Sequence, residues 1–251
     1  MNRQVIKNKI RKILAYSVTA VLFLLISSFL VLQMPPVQNY LMSRYLKDFT
    51  KATGFPTTIE GFSMLWFDRL ELEGVSVYDP DGHRMIGAKR IIINFKLSNL
   101  LEEKDVNVDG IFVDSAHVYL TKMNESDTSR DLNMNVFIAR INDNFAGGGK
   151  GGKPPRINIG EAFLNESQFT YVNQDRDSIA NGFDYNHFSL AVDEGQLRSF
   201  VVLGDTIEFD VNTLIIQDQK TKFRVNQLST FFRISQASME FVGLNLQAGQ
   251  S

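Results

Sequence analysis

The sequence predicts a mainly β protein. An N-terminal transmembrane helix and a short amphipathic helix precede an elongated, curved, antiparallel-type β-sheet whose apolar side chains form a groove. Three observations predict this class. Ile13 to Leu32 holds twenty residues without a charge. From Thr57 onward, runs of five to eight residues alternate apolar and polar positions between polar turns. A short unit of apolar, acidic and glycine positions also recurs along the chain.

The first twelve residues form a basic tail, with Arg3, Lys7, Lys9, Arg11 and Lys12 and no acid. As a helix rising about 1.5 Å per residue, the apolar run that follows covers a hydrocarbon core of about 30 Å. The first charge after it is Arg44, so the basic bias keeps the N-terminus cytoplasmic and exports the remainder. A cleaved signal peptide is the poorer account. Its apolar core would be shorter, and the exit Val31-Leu32-Gln33-Met34-Pro35-Pro36 is bulky where a peptidase wants small residues. The expected anchor spans residues 13–34, in a cytoplasmic (inner) membrane crossed once, with the body in the periplasm.

After Pro35-Pro36, the segment 37–53 places Val37, Leu41, Tyr45 and Phe49 at four-residue spacing, the pattern of an amphipathic helix that packs its stripe on the first strands. Gly54 and Pro56 end it. A first β section is expected over 57–145, with one further short helix around Leu132 to Ile141. A Gly/Pro linker loop follows over 146–155, and a second β section over 156–251. Clear strands are Ile91-x-Ile93-x-Phe95, Phe188-x-Leu190-x-Val192, Ile207-x-Phe209-x-Val211 and Phe241 to Leu246. About fourteen strands at about 4.8 Å each stack to at most about 65 Å.

The repeat is the most specific signal. Leu70-Glu-Leu72-Glu73-Gly74-Val75-Ser-Val77 and Val106-Asn-Val108-Asp109-Gly110-Ile111-Phe-Val113 share two alternating apolar positions, an acid, a glycine, and two more apolar positions shifted by one. A looser copy, Ile157-Asn-Ile159-Gly160-Glu161-Ala162-Phe-Leu164, lies 51 residues after the second and keeps matching through Phe169. The shift would turn the apolar face over unless the backbone bulges or bends at the acid-glycine step, where glycine tolerates positive φ. Repetition of such a unit argues for a stacked, nearest-neighbour architecture.

Composition narrows the chemistry. Five of the 26 basic residues lie in the tail, leaving 21 against 28 acidic ones, about −7 for the exported part, so charge does not recruit nucleic acid. With no cysteine there are no disulfides and no thiolate metal sites. His83, His117 and His187 lack metal-ligand spacing and read as surface or groove-rim residues. Asp79-Pro-Asp81-Gly82 reads as a turn, not a calcium loop. The segment 146–155 lacks the Ser or Thr and the helix of a P-loop. No G-x-S-x-G occurs, and the acid pairs Glu102-Glu103 and Asp193-Glu194 lie in polar surroundings. No enzyme, cofactor or metal is expected.

The order of basic tail, anchor, VQNYLMSRYLKDFTKATGFP and LELEGVSVYDPDGHRMIGAKRIIINFKLSNLL resembles the N-terminal part of the AsmA-like superfamily and, within it, the TamB family, the inner-membrane subunit of the translocation and assembly module. The likeness is best over Val37 to Leu120. It implies a Gram-negative inner-membrane protein with a periplasmic β-groove, acting on phospholipid transport towards the outer membrane and on outer-membrane protein assembly with a β-barrel partner. Members of that family are much longer and finish in a distinct C-terminal domain, whereas this chain stops at Ser251 just after a strand. It therefore reads as a fragment, or as a truncated relative that works with another protein.

The alternation puts Leu70, Leu72, Val75, Val77, Ile91, Ile93, Phe95, Val106, Val108, Ile111, Val113, Val118 and Leu120 either in an ordinary core or in the early lining of the groove, where they would shield acyl chains at about 0.8 kcal/mol per buried CH₂. The rival expectation is an assembly module, in which a free sheet edge captures strands of clients or partners by β-augmentation.

Overall fold

The computed structural model describes residues 3–66, 68–96, 105–122, 132–145, 156–203, 206–235 and 239–249, with side chains from Tyr16 onward. The Gly/Pro linker loop 146–155 and the pair Glu102-Glu103 lie outside the described residues.

Helix α1 runs Arg3–Leu32 and α2 Pro35–Thr53. Two prolines at its first positions start α2, where a missing N–H costs nothing. Gly54, at φ 75°, ends it by donating its N–H to the Thr50 carbonyl at 2.8 Å. Among the described residues no single helix is long and apolar enough to cross a membrane; Tyr16–Leu32 and α2 satisfy length and composition only as a pair, bent by 70°.

The strands are β1 (Thr57–Thr58), β2 (Gly61–Leu65), β3 (Arg69–Tyr78), β4 (Arg84–Asn94), β5 (Val106–Asp114), β6 (His117–Thr121), β7 (Ile157–Val172), β8 (His187–Leu203), β9 (Thr206–Asp218), β10 (Arg224–Ile234) and β11 (Met239–Ala248), with α3 (Asn133–Phe145) between β6 and β7. They form one eleven-stranded sheet. β1 and β2 share a lane beside β3, and β5 and β6 share a lane between β4 and β7, so the sheet has nine lanes. Eight spacings of about 4.8 Å make it about 38 Å across, shorter than the expected stack. The expected fourteen strands exceed the eleven among the described residues, because several apolar runs merge into long strands such as β7 and β8.

The sheet is mixed, which corrects the antiparallel expectation. β5 and β6 pair with β7 in parallel, from Val106↔Ile157 to Thr121↔Val172. Every one of these pairs is 51 residues apart, so the second and third copies of the repeat lie side by side in register. A parallel neighbour needs a long crossover, and the connection from Lys122 to Arg156, which holds α3, supplies it.

The face change required by the repeat is real. Adjacent Ile215 and Ile216 of β9 pair with Glu194 and Val192 of β8, so those two residues face opposite sides although two apart. β8 therefore resets its alternation at Asp193. Following the register outward, β7 resets at Glu166, the β5–β6 lane at Ser115, β4 at Lys89 and β3 at Gly74. Gly74, Ser115 and Glu166 all have positive φ, of 61°, 53° and 45°. A second line crosses β5 at Asp109, β7 at Gly160 and β8 at Ser199, the last at φ 51°. Gly74, Asp109 and Gly160 are the acid-glycine steps of the three copies, but only the first uses glycine's positive φ. Gly160 serves closeness instead, since a Cβ there would stand 2.7 Å from the Asp109 carbonyl oxygen.

Among the described residues every strand belongs to this one sheet, and strand contacts run between neighbouring lanes. The core cluster Phe55, Val77, Met85 and Phe137, with Phe49 and Ile141 against it, joins α2 and α3 to one corner of the sheet. Asn133 caps α3, accepting from Met134 N–H at 2.9 Å, and its amide reaches the buried Asp79 carboxylate at 3.1 Å. Asp79 in turn closes the β3–β4 turn by accepting from His83 N–H at 2.8 Å, so Asp79-Pro-Asp81-Gly82 is a structural turn.

Gly160→Ala is expected to destabilise the protein by about 1–3 kcal/mol, whereas Gly110→Ala, whose new Cβ would meet nothing nearer than 3.7 Å, stays close to wild type. Urea unfolding of the two variants followed by circular dichroism checks the contrast.

Candidate functional site

Because the resets are matched from strand to strand, or taken up in β9 as shifts in register, the apolar residues on both sides of each line fall on one face. One row across the sheet runs Phe62, Leu72, Ile91, Val113, Leu164, Gly195, Leu214. The next runs Met64, Leu70, Ile93, Ile111, Ala162, Leu197, Val211. Val106 continues into Ile157, Val202, Ile207 and Ile234, and Val108 into Ile159 and Phe200. Beyond the first line, Val75 pairs with Ala88, Val77 with Ile86 and Val118, and Leu120 with Tyr171 and Phe188. Phe95 extends the Ile91–Ile93 alternation. Twelve of the thirteen residues singled out by alternation therefore share one face by register, and Phe95 lies one residue beyond β4. Val75, Val77 and Phe95 are buried and the other ten half-buried.

The opposite face carries the charges. Glu71 meets Arg90, Glu161 meets Arg198 at 3.3 Å, Asp193 meets Arg224 at 2.7 Å, and Arg233 bridges Glu208 and Glu240 at 2.7 and 3.3 Å. The hydrogen bond and charge of Glu208 raise the pKa of Arg233 further. Asn107–Asn158 and Asp114–Asn165 bond across the parallel lanes at 2.7 and 3.0 Å. Phe112 and Phe163, stacked with centroids 4.8 Å apart, also lie on this face, as does Phe231, with the Arg233 guanidinium carbon 5.5 Å from its ring centroid.

Sequence reasoning stopped its lining at Leu120 and missed the later lanes. There an aromatic ladder runs along the apolar face, with Phe200–Phe209, Phe209–Phe232 and Phe232–Phe241 centroids 5.2, 4.9 and 4.8 Å apart. The excess of phenylalanine was its visible signal. Also missed was Gln38, 6% exposed. Its amide nitrogen donates to the carbonyls of Leu32 and Met64, both at 3.1 Å, and its oxygen accepts from Met64 N–H at 3.2 Å. This seat rotates α2 from its expected stripe: Gln38, Met42, Leu46, Phe49 and Thr53 face inward, while Leu41 and Tyr45 are 49% and 55% exposed. A cavity of about 230 Å³ at this junction is lined by Leu32, Leu41, Met42, Tyr45, Phe62 and Met64, the last two belonging to the first lane of the apolar face.

The histidines are held by the framework. His83 lies 3.3 Å from Asp79, and His187 3.5 Å from Asp184. Burial and the neighbouring Arg84 lower the pKa of His117. Among the described residues no group of three or more His, Asp or Glu side chains converges on a metal position. Asp184 organises the β7–β8 loop. Burial raises its pKa, but hydrogen bonds from Ser178 and from the Ile179, Asn186 and His187 amides outweigh that and hold the carboxyl well below the usual carboxylate range.

No family model matches the sequence, and no curated protein matches it.

A carboxyl depressed in the fold stabilises it fully above the unfolded-state value and loses that contribution as pH falls through the folded value. Asp184→Asn is therefore expected to lower Tm at about pH 5 to 8, with the gap to wild type closing only below about pH 4. Thermal scans across that range check it.

Proposed function

We propose that this is a non-catalytic protein of the AsmA-like, TamB type, anchored in an inner membrane by α1. Its apolar sheet face acts as a groove that binds phospholipid and conducts it towards the outer membrane, supporting outer-membrane biogenesis with a β-barrel assembly partner. The observation that carries this reading is the continuity of the apolar face. Its two longest rows cross seven lanes, from β2 to β9, without a charged side chain, and among the described residues α2 and α3 pack on it at one corner. A bare apolar face of this extent on a sheet whose reverse carries the ion pairs fits an acyl-chain occupant, which gains about 0.8 kcal/mol for each CH₂ it buries.

A second reading rests on β11. Among the described residues it pairs with β10 alone, and it leaves Phe241, Val242, Leu244 and Leu246 between 46% and 59% exposed. An edge of that kind can add a strand from a client or partner by β-augmentation.

The two faces give the test. A photo-crosslinking residue at Val113, on the apolar face, is expected to capture labelled phospholipid in cells, and one at adjacent Phe112, on the charged face, is not. Equal labelling at both positions, or none at Val113, removes the lipid reading. Val113→Glu is expected to lower lipid capture at Ile91 while leaving the circular dichroism spectrum intact. For the edge reading, a crosslinker at Val242 that captures protein and loses it in a Leu244→Pro variant is the expected outcome.

A further inference from the structure

The β2–β3 hairpin carries the single tryptophan of the chain. Trp66 is 75% exposed and Leu65 beside it 47%, the opposite of what large apolar side chains do at a soluble hairpin tip. Trp66 is also held at φ 51°, a left-handed conformation that bulky residues rarely adopt. Its ring centroid lies 6.2 Å from that of Phe29 in α1. Phe29 stands three residues before the end of the apolar run at Leu32, a rise of about 4.5 Å. The indole is therefore level with the last turn of the apolar helix. Gln38 fixes that height by tying the end of α1 to Met64, two residues from Trp66. On the same elbow, Leu41 and Tyr45 of α2 are also exposed.

We infer that the β2–β3 hairpin is a second membrane contact: Leu65 and Trp66 dip into the boundary between headgroups and acyl chains of the bilayer that holds α1, with Leu41 and Tyr45 at the same interface. The inference rests on α1 spanning a membrane and is independent of what the apolar face carries. Tryptophan and tyrosine favour that depth because their rings bury an apolar body while the N–H or O–H stays with water and headgroups. The contact is apolar. Asp68 and Glu71 offset Arg69 and Lys96 around the tip, so zwitterionic lipid suffices. Its consequence is geometric: α1 and the hairpin make two contacts that fix the tilt of the first lane against the bilayer, where a single helix would leave it free to swing.

Because Trp66 is the only indole, its fluorescence reads the site alone. The full chain is reconstituted in phosphatidylcholine vesicles. The expected result is a blue-shifted emission, shielded from iodide and quenched more by lipids brominated near the carbonyl end of the acyl chain than by those brominated near its terminus. Leu65→Lys is expected to shift the emission to the red and admit iodide. Resistance to alkaline extraction is measured on the same vesicles. Red, iodide-quenched emission from protein that resists extraction overturns the hairpin contact alone, and protein that is extracted overturns the membrane reading with it.

Discussion

The period-two alternation of a β-strand is the constraint on which this structure depends. A strand that must keep its apolar side chains on one face can do so over a long run only if its sequence never slips by one position. Here it slips in three copies of the same unit, and the sheet absorbs each slip by resetting the backbone at matched positions in adjacent strands. A reset in one strand alone would turn its neighbour's partners to the wrong side. The matching extends across five lanes in the first line because Gly74, Lys89, Ser115, Glu166 and Asp193 all sit at the same level. It stops at β9, which takes up the mismatch as a shift in register. Glycine is needed for φ only in β3; elsewhere serine and glutamate hold left-handed geometry inside the ladder, a cost of about 1 kcal/mol each that the flanking pairs over-determine.

Much of the fold was legible in the sequence for this reason. Alternation found the strands, and the acid-glycine step found the face changes at Gly74, Asp109 and Gly160. The direction of pairing was not legible from alternation, which is the same for parallel and antiparallel neighbours. Two facts held the answer jointly: copies 51 residues apart, and a helical pattern at Leu132 to Ile141 between them. A strand, a crossover helix and a matching strand are the ingredients of parallel pairing. The lining was legible as far as Leu120 because hydrophobic identity is clear there. Later lanes interleave Gly195, Thr230 and polar residues, and only the pairing register shows which side each occupies.

The elbow between α1 and α2 follows a different logic. Helical spacing alone put Leu41 and Tyr45 inward, since a stripe of four-residue steps is the simplest buried face. A buried polar side chain overrode it. At the end of α1 the Phe29, Leu30 and Val31 carbonyls accept from the Gln33 and Met34 amides, which leaves that of Leu32, and the outer edge of β2 offers the N–H and the C=O of Met64. One glutamine amide satisfies all of these, as the Gln38 bonds to Leu32 and Met64 do. Leaving such groups buried and unsatisfied costs about 1–3 kcal/mol each. That exceeds what exposing part of a tyrosine and a leucine forfeits at an elbow whose surroundings are apolar.

The unequal faces of the sheet bear on where its stability comes from. The ion pairs of the charged face are partly exposed, and pairs of that kind are worth about 0–1 kcal/mol each. They keep the face wet and discourage stacking, but they cannot hold nine lanes together. That falls to the ladders and to the apolar face, whose side chains shield one another along each row yet, among the described residues, find a second layer only at the Phe55–Val77–Met85–Phe137 corner. Half-burial leaves apolar area still in contact with water at most positions of the rows, each Å² worth about 25 cal/mol if covered. A ligand that covers the face stabilises the fold by mass action, and one that leaves exposes it again. The sheet is in that sense built with part of its core missing, and the segment that gains most from an occupant is the middle of the rows, furthest from the helices that already cover one end.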